Sequence, residues 1–259
     1  MTLRETFDEA PELYDRVRPG YPEELFDDLS ELARLGPGSR VLELGCGTGQ
    51  ATVPLARRGY QVVAIELGAA LADMARRNVS AFPAVRVVNA AFESWPLPAE
   101  PFDAVVAATA FHWIDPTVRV SKPADALRPG GALAVVSTHH VAGGSERFFA
   151  DVQRCYERWD PATPAGLRLP AAGDVPHALG ELAAGSRFGE PALRRYEHEI
   201  AYSAAEYRDL LLTYSGHRAM EPDARRALLD CVTGLIDRDH GGRIAKRYMN
   251  ELAVAHRTG

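Results

Sequence analysis

The chain has 259 residues, of which 46% are hydrophobic and 25% charged, and its formal net charge is −6 at pH 7. This length suits one large α/β domain, and the acidic balance argues against a general nucleic-acid binder, which needs a basic surface. No apolar run reaches the roughly eighteen residues of a membrane span, and the first 22 residues lack the apolar core of a signal peptide. We therefore expect a cytoplasmic protein that acts without membrane or nucleic acid.

The cysteines and histidines indicate no metal site. Cys46, Cys155 and Cys231 lie far apart and follow neither a metal-ligand spacing nor an obvious disulfide framework, so we expect free thiols. His139 and His140 are adjacent, but the spacing supplies no third ligand.

The first half of the chain alternates short strand-like runs with helical patterns. Residues 1–35 are expected to form an N-terminal arm and a helix that begins at Glu23. Near-continuous apolar runs, typical of parallel strands buried on both faces, follow at 41–44, 62–65, 85–88, 104–108 and 132–137. Helical patterns occupy 50–58 and 69–78, and the Pro-Gly-Gly at 129–131 is predicted to close a helix and turn into the fifth strand. This order predicts a doubly wound α/β sheet.

After about residue 140 the pattern becomes irregular. Residues 140–187, rich in Pro, Gly and Ala, are expected to form a helical cap insertion over the ligand edge of the sheet, between strands 5 and 6. Helices are predicted in the cap at 147–159 and near 175–184, and beyond it at 204–214 and 222–237. Strands are predicted at 193–202 and 245–254, which brings the total to seven. No linker divides the chain, so 1–259 is expected to be a single domain.

A cluster of glycines follows the first strand, in VLELGCGTGQ at 41–50. A strand that leads through a Gly-rich turn into a helix N-terminus presents free backbone N–H groups to a ligand. Gly45, Gly47 and Gly49 read GxGxG, which is neither the dinucleotide fingerprint GxGxxG nor a P-loop with its Lys-Ser/Thr pair. The turn therefore predicts a ligand close to the backbone without identifying it.

Glu66 follows the second strand, about twenty residues beyond the turn. In a doubly wound sheet an acid at this place accepts hydrogen bonds from the cis hydroxyls of a ribose. The alternative is a surface glutamate at the start of a helix.

Taken together, five segments resemble the class I S-adenosylmethionine-dependent methyltransferases. They are VLELGCGTGQ, VVAIEL, VRVVNAAFESWPL, PFDAVVAATAFHWID and LRPGGALAVVS, and the likeness covers roughly residues 10–140. The segments YDRVRPGYP, FHWID and TYSGH resemble a bacterial small-molecule branch that includes trans-aconitate methyltransferase-like proteins. The resemblance implies a Rossmann-like sheet of order 3-2-1-4-5-7-6 with strand 7 antiparallel. It also implies S-adenosylmethionine as cofactor, S-adenosylhomocysteine as product, and a small-molecule acceptor.

The resemblance also implies which residues contact the cofactor. They are Tyr14, Arg18, Glu43, Gly45, Cys46, Gly47, Gln50, Glu66, Leu67, Ala91, Phe92, Thr109 and Ala110. Glu43 is expected to hold the amides of the turn or, through water, the ammonium of the cofactor, and Leu67 is expected to pack on the adenine. Gln50 lies near the cofactor or only starts a helix. Ala91 replaces the acid that commonly binds the adenine amine, so backbone groups of Ala91 and Phe92, or the side chain of Glu93, would take its place.

The N-terminal arm and the end of the fourth strand carry the remaining expectations. Tyr14 and Arg18 are expected to fold across the cofactor, where Arg18 pairs with its carboxylate or with an acidic substrate; the alternative is a rigid turn at 18–22. Phe111 and Trp113 are expected to bind substrate. His112 is the candidate general base, and the alternative is that it only lines the pocket.

Two other functions compete with methyl transfer to a small molecule. One is a nicotinamide-dependent oxidoreductase on a similar sheet, against which the missing GxGxxG argues. The other is a module that binds S-adenosylmethionine without catalysis, which the Ala91 replacement keeps open. The oligomeric state is expected to be monomer or homodimer.

Overall fold

The computed structural model describes residues 8, 10–160, 163–164, 166–177 and 187–259. Its helices are α1 (Pro11–Val17), α2 (Glu23–Leu32), α3 (Thr52–Arg57), α4 (Ala69–Asn78), α5 (Ser121–Ala126), α6 (Glu146–Asp151), α7 (Gln153–Trp159), α8 (Ala204–Leu211), α9 (Ser215–Ala219) and α10 (Pro222–Asp239). Its strands are β1 (Arg40–Leu44), β2 (Gln61–Glu66), β3 (Val85–Asn89), β4 (Phe102–Ala108), β5 (Leu127–His140), β6 (Ala192–Ser203) and β7 (Arg243–His256). Short 3₁₀ helices occupy Phe111–Trp113 and Ala172–Asp174.

The seven strands form one sheet in the order β3-β2-β1-β4-β5-β7-β6. Strands β1 to β5 pair in parallel, with Leu44 opposite Ile65 at the ends of β1 and β2. The Arg257 amide donates to the Gly131 carbonyl, which pairs the end of β7 with the start of β5. The Val141 amide donates to the Arg247 carbonyl, which pairs the end of β5 with the start of β7. Strand β7 is therefore antiparallel, and the doubly wound fold and its strand order are confirmed.

The chain divides into two compact units. Unit 1 comprises Met1–Arg18, His139–Val175 and Glu197–Met249, and unit 2 comprises Pro19–Thr138, Pro176–Tyr196 and Asn250–Gly259.

Unit 2 has an apolar core on both faces of its strands. Val41, Leu42 and Leu44 of β1 are fully buried; Val41 packs in the same cluster as the buried residues of α2, whereas Leu42 and Leu44 pack in the cluster that includes Phe102. Because helices cover both faces, the central strands read as continuous apolar runs rather than as alternating ones. This explains why the sequence pattern located them.

Unit 1 has a core of its own, in which helices α7 and α10 meet. Its buried members include Phe148, Leu228 and Tyr248. The same packing brings Cys155 and Cys231 together in a disulfide, with Cα atoms 5.8 Å apart across 76 residues of sequence. The expectation of free thiols is therefore wrong for these two residues. They meet because α7 packs on α10, and a contact of this kind has no characteristic spacing in the sequence. Cys46 is a free, buried cysteine.

Several predicted boundaries differ from the structure. The Pro-Gly-Gly at 129–131 lies inside β5, next to an irregularity in its register with β4, rather than between a helix and the strand. The predicted helix at 147–159 is two helices, α6 and α7, with a break at Val152. Residues 175–177 are not helical, and the rest of the predicted helix near 175–184 lies outside the described residues. In the part of the chain that is described, no helix combines the length and apolarity needed to cross a membrane.

Candidate functional site

The turn after β1 is built from glycines that other residues would strain. Gly45, Gly47 and Gly49 have φ angles of 66°, 57° and 103°, which L side chains rarely adopt. A Cβ on Gly45 would lie 2.7 Å from the Cβ of Ala110 at the end of β4. The turn therefore lies against the end of β4, and glycine at 45 is required both by the backbone angle and by this contact.

Glu66, the last residue of β2, connects this turn to the next one. Its Oε2 accepts a hydrogen bond from the Gly47 amide at 2.8 Å and its Oε1 accepts one from the Gly68 amide at 2.9 Å. The residue is only 8% exposed. Each carboxylate oxygen has a second lone pair, so Glu66 keeps the capacity to accept hydrogen bonds from ligand hydroxyls.

Glu43 is a buried acid one residue before the end of β1, as predicted. It is 1% exposed, and its Oε2 has no hydrogen-bond partner within the described residues. Burial raises the pKa of Glu43 to about 7; the nearby hydroxyl of Thr52 opposes this rise and the charge of Glu66 adds to it. A buried carboxylate with one oxygen that accepts no hydrogen bond is stabilised by a cation, so this position fits a positively charged ligand group.

Cys46 and Gln50 are the two other residues near this turn that were predicted to bind the cofactor. Burial, together with the charges of Glu43 and Glu66, raises the pKa of the Cys46 thiol well above its usual value. Cys46 therefore stays a neutral thiol beside the turn. Gln50 precedes α3 instead of starting it, and its Nε2 donates to Thr48 Oγ1 at 2.7 Å. Both residues are thus at the turn, and their contact with the cofactor stays a prediction.

The side of the site formed by β2 and β3 contains a residue that the sequence did not suggest. The Nδ2 of Asn89 donates to the carbonyl of Leu67 at 2.8 Å and to that of Glu66 at 3.0 Å. Asn89 ends β3 directly opposite Glu66, and a polar residue that ends an apolar strand was the available signal. Asn89 therefore fixes the backbone that carries the predicted ribose and adenine contacts.

The segment after β3 carries the two residues predicted at the adenine edge. Ala91 is half-buried and Phe92 is 5% exposed. The ammonium of Lys122 lies 5.2 Å from the centre of the Phe92 ring and donates to the carbonyls of Glu93 and Trp95 at 2.9 and 2.6 Å. The Oε1 of Glu93 accepts the amide of Asp115 at 3.3 Å, so this carboxylate also supports the loop after β4.

The end of β4 is strained at Thr109. Its φ of 54° is a rare angle for a β-branched residue. Its Oγ1 lies 3.0 Å from Tyr21 Oη and 3.1 Å from Thr138 Oγ1, and the latter oxygen accepts a hydrogen bond from Asn250 Nδ2 at 2.8 Å. Strain of this kind costs on the order of 1–3 kcal/mol and clusters at functional sites. Sequence reasoning missed Tyr21, Thr138 and Asn250, since they meet Thr109 only through the tertiary fold.

A 3₁₀ helix at Phe111–Trp113 carries the predicted base and substrate residues. His112 is exposed overall, and its ring centre lies 4.9 Å from that of Trp113. Partial burial of the ring and the charge of Arg119 lower the pKa of His112, so its imidazole is neutral at pH 7. A neutral imidazole can accept a proton. The guanidinium of Arg119 also lies 5.6 Å from the centre of the half-buried Phe111 ring.

Tyr14 and Arg18 belong to unit 1. The guanidinium carbon of Arg18 lies 4.9 Å from the centre of the Tyr14 ring and 4.7 Å from that of Tyr214. Its Nη2 donates to the carbonyl of Thr213 at 2.6 Å. Their contact with the cofactor stays a prediction.

Residues 41–131 match a family model described as a methyltransferase domain. The matched segment contains the glycine turn, Glu66 and the end of β4. Over this segment the chain is similar to methyltransferase domains.

Several known proteins are similar to this chain. An uncharacterized methyltransferase of Mycobacterium tuberculosis is 39% identical over 131 residues, which are 51% of this chain and 51% of that protein. The chain thus spans about half the length of this curated relative. The crystal structure of the [4+2]-cyclase SpnF aligns with a TM-score of 0.56 and 19% identity. This alignment covers 99% of this chain and 95% of the cyclase chain. The structure of phosphoethanolamine N-methyltransferase 2 of Haemonchus contortus aligns with a TM-score of 0.56 and 17% identity. This alignment covers 100% of this chain and 61% of the N-methyltransferase chain. At these identities the two structures share the fold alone.

S-adenosylmethionine is the cofactor that this similarity implies, and residues of unit 2 fit it. The orphaned Oε2 of Glu43 suits the ammonium of the amino-acid part, and the carboxylate of Glu66 at the end of β2 suits the ribose hydroxyls. Within the described residues, no group of three or more His, Cys, Asp or Glu is placed to hold a metal ion.

Proposed function

We propose that this chain is a class I S-adenosylmethionine-dependent methyltransferase and that it transfers the methyl group of this cofactor to a small-molecule acceptor. The observation that carries the proposal is the pair of acids in unit 2. Glu66 is hydrogen-bonded to the Gly47 amide at the end of β2, and Glu43 is buried with a raised pKa inside β1. One acid is suited to hydroxyl groups and the other to an ammonium, and the cofactor carries both.

Four contacts follow from this arrangement. The backbone of the glycine turn lies close to the methionine part, and Glu43 neutralises its ammonium. Glu66 accepts the ribose hydroxyls, and Leu67 packs on the adenine. Because Ala91 has no acceptor in its side chain, the adenine amine is bound by the backbone of Ala91 and Phe92.

The bound cofactor supplies an activated methyl group on a sulfonium. It would donate this methyl group to an acceptor atom, and the thioether S-adenosylhomocysteine would be the leaving group. The protein has to align these atoms and exclude water. We assign alignment to Thr109, Phe111 and Trp113. His112 takes the proton of an acceptor that is protonated at neutral pH, whereas a carboxylate acceptor needs no base.

The choice of a small acceptor rests on the resemblance of YDRVRPGYP, FHWID and TYSGH to the small-molecule branch and on the acidic net charge of −6. We assign acceptor selection to residues 140–187. We further propose that the protein acts in the cytoplasm as a monomer or homodimer and that 1–259 functions as one domain.

A module that binds the cofactor without transferring its methyl is the second candidate. The alanine at position 91 favours it, since it removes the acid that commonly binds the adenine amine. Methyl transfer itself separates the two candidates.

The test supplies S-adenosylmethionine with a tritiated methyl group, together with a desalted small-metabolite extract or with cellular protein as acceptor. We expect label in the small-molecule fraction with the unaltered protein and none with Glu66→Ala. The exposed Glu31 of α2 provides the control, and Glu31→Ala should keep full transfer. Label in the protein fraction alone would contradict a small-molecule acceptor, and no transfer at all would favour the binding module.

A further inference from the structure

Unit 1 contains a buried lysine that the methyl-transfer site in unit 2 does not use. Lys246 lies in β7 and is 3% exposed. It is one of only two lysines in the chain, in which 29 residues are Lys or Arg. Arginine is the usual basic residue of this protein, so a buried lysine is an unusual feature of its sequence.

The ammonium of Lys246 is surrounded by tyrosines. Its Nζ donates to Tyr214 Oη at 3.4 Å and lies 5.6, 5.3 and 5.4 Å from the ring centres of Tyr207, Tyr214 and Tyr248. Ring faces attract a cation, but this attraction does not replace the hydration that the ammonium lost.

Lys246 differs from its neighbour on the strand in what balances its charge. Arg247 pairs with Glu199 at 2.6 Å and with Glu197 at 3.7 Å. The described residues offer Lys246 no such carboxylate. The partly exposed Arg247 therefore has two counter-charges. The buried Lys246, for which a counter-charge matters most, has none among the described residues.

A second cation shares the same aromatic ring. Arg18 lies 4.7 Å from the centre of the Tyr214 ring, against which Lys246 also packs. The Nε2 of His140 lies 3.3 Å from Tyr214 Oη, and His217 Nε2 lies 3.0 Å from Tyr156 Oη. Burial and the charge of Arg18 lower the pKa of Lys246 to about 7. Burial and the charges of Lys246 and Arg18 lower that of His140 to about 3.

Positive charge is gathered at this place, and Lys246 has no carboxylate beside it among the described residues. Arg18, Tyr214 and His140 each keep part of their surface exposed. We propose that Lys246 and Arg18 of unit 1 bind the oxyanion group, carboxylate or phosphate, of an organic ligand, with the hydroxyl of Tyr214 as a further donor. An anion at this place holds the ammonium in its charged form and supplies the counter-charge that Arg247 already has.

Lysine NMR tests this directly, because protein labelled with ¹³C at lysine Cε gives only two signals. Lys122→Arg assigns them. Without ligand we expect the Lys246 signal to titrate near pH 7 and the Lys122 signal well above it. The probes are benzoate and phenyl phosphate, whose rings suit the tyrosines, and uncharged benzamide is the matched control. Binding of either anion should raise the titration midpoint of Lys246 by at least one pH unit and leave that of Lys122 in place.

A response to benzoate alone assigns the site to carboxylates, and a response to phenyl phosphate alone assigns it to phosphates. A Lys246 midpoint that neither anion moves, or that benzamide moves equally, would overturn the proposal. As a second measurement, Lys246→Met should weaken binding of the effective probe at least tenfold, and Lys246→Arg should retain most of it. The experiment contains no cofactor, so its outcome does not depend on whether the proposed methyl transfer is correct.

Discussion

The carboxylate of Glu66 and the backbone amide of Gly47 lie 2.8 Å apart, across nineteen positions of sequence. This bond fastens the end of β2 to the glycine turn after β1. The group expected to hold the ribose therefore also fixes the turn expected to lie against the methionine part. A change at Glu66 should weaken both contacts together.

Gly45 offers a prediction about the turn itself. Gly45→Ala should lower the free energy of unfolding by about 2–4 kcal/mol, because the new Cβ meets Ala110 at 2.7 Å and the φ angle of 66° is strained for alanine. Urea denaturation measures this cost. Gly38→Ala is the matched control, since Gly38 has a φ of 85° with open space around its missing Cβ. It should cost only about 1 kcal/mol, and equal costs at both positions would contradict the packing of the turn against β4.

Glu43 makes stability depend on pH. Its pKa of about 7 in the folded protein lies above the ordinary value of 4.5, so the folded state binds more protons than the unfolded state between these two values. The free energy of unfolding should therefore fall as pH rises from 4.5 to 7, by up to about 3 kcal/mol. Glu43→Gln should remove this fall and also weaken binding of S-adenosylhomocysteine about tenfold. Denaturation at pH 5 and pH 8 checks the first effect, and an unchanged pH dependence would contradict it.

His112 is expected to act on the acceptor and not on the cofactor. For an acceptor with a dissociable proton, His112→Ala should lower kcat by a factor of about 100 or more, with the affinity for S-adenosylhomocysteine within about twofold. The wild-type rate should fall at acidic pH below 6.5, since the pKa of His112 is lowered, and the variant should lose this dependence. Unchanged kcat with a raised KM would show instead that His112 only lines the pocket.

The disulfide between Cys155 and Cys231 can be counted chemically. Protein purified without reductant and then denatured should show one free thiol, that of Cys46. Reduction should lower the free energy of unfolding by about 2–4 kcal/mol, because it releases a long loop in the unfolded chain. The double variant Cys155→Ser, Cys231→Ser should be insensitive to reductant. Three free thiols in the unreduced protein would contradict the bridge.

The parts of the fold that the sequence predicted are those with a local signal. The five parallel strands appear as apolar runs because helices bury both of their faces. The turn at Gly45 and the acid at Glu66 follow from the order of strand, glycines and next strand. Local patterns give no sign of where β5 begins, since Leu127 starts the strand two residues before a Pro-Gly-Gly.

The parts that escaped prediction depend on distant residues meeting in space. Asn89 joins the site only because β3 lies beside β2, and Asn250 reaches Thr138 across 112 positions of sequence. The pairing of Cys155 with Cys231 requires α7 to pack on α10. None of these contacts has a spacing that a single sequence displays.

Isothermal titration with S-adenosylhomocysteine tests the central claim most directly. The account predicts that the unaltered protein binds this product, that Glu66→Ala binds it at least tenfold more weakly, a loss of about 1.4 kcal/mol or more, and that NAD does not bind. Equal affinity in Glu66→Ala, or binding of NAD with no response to S-adenosylhomocysteine, would contradict it.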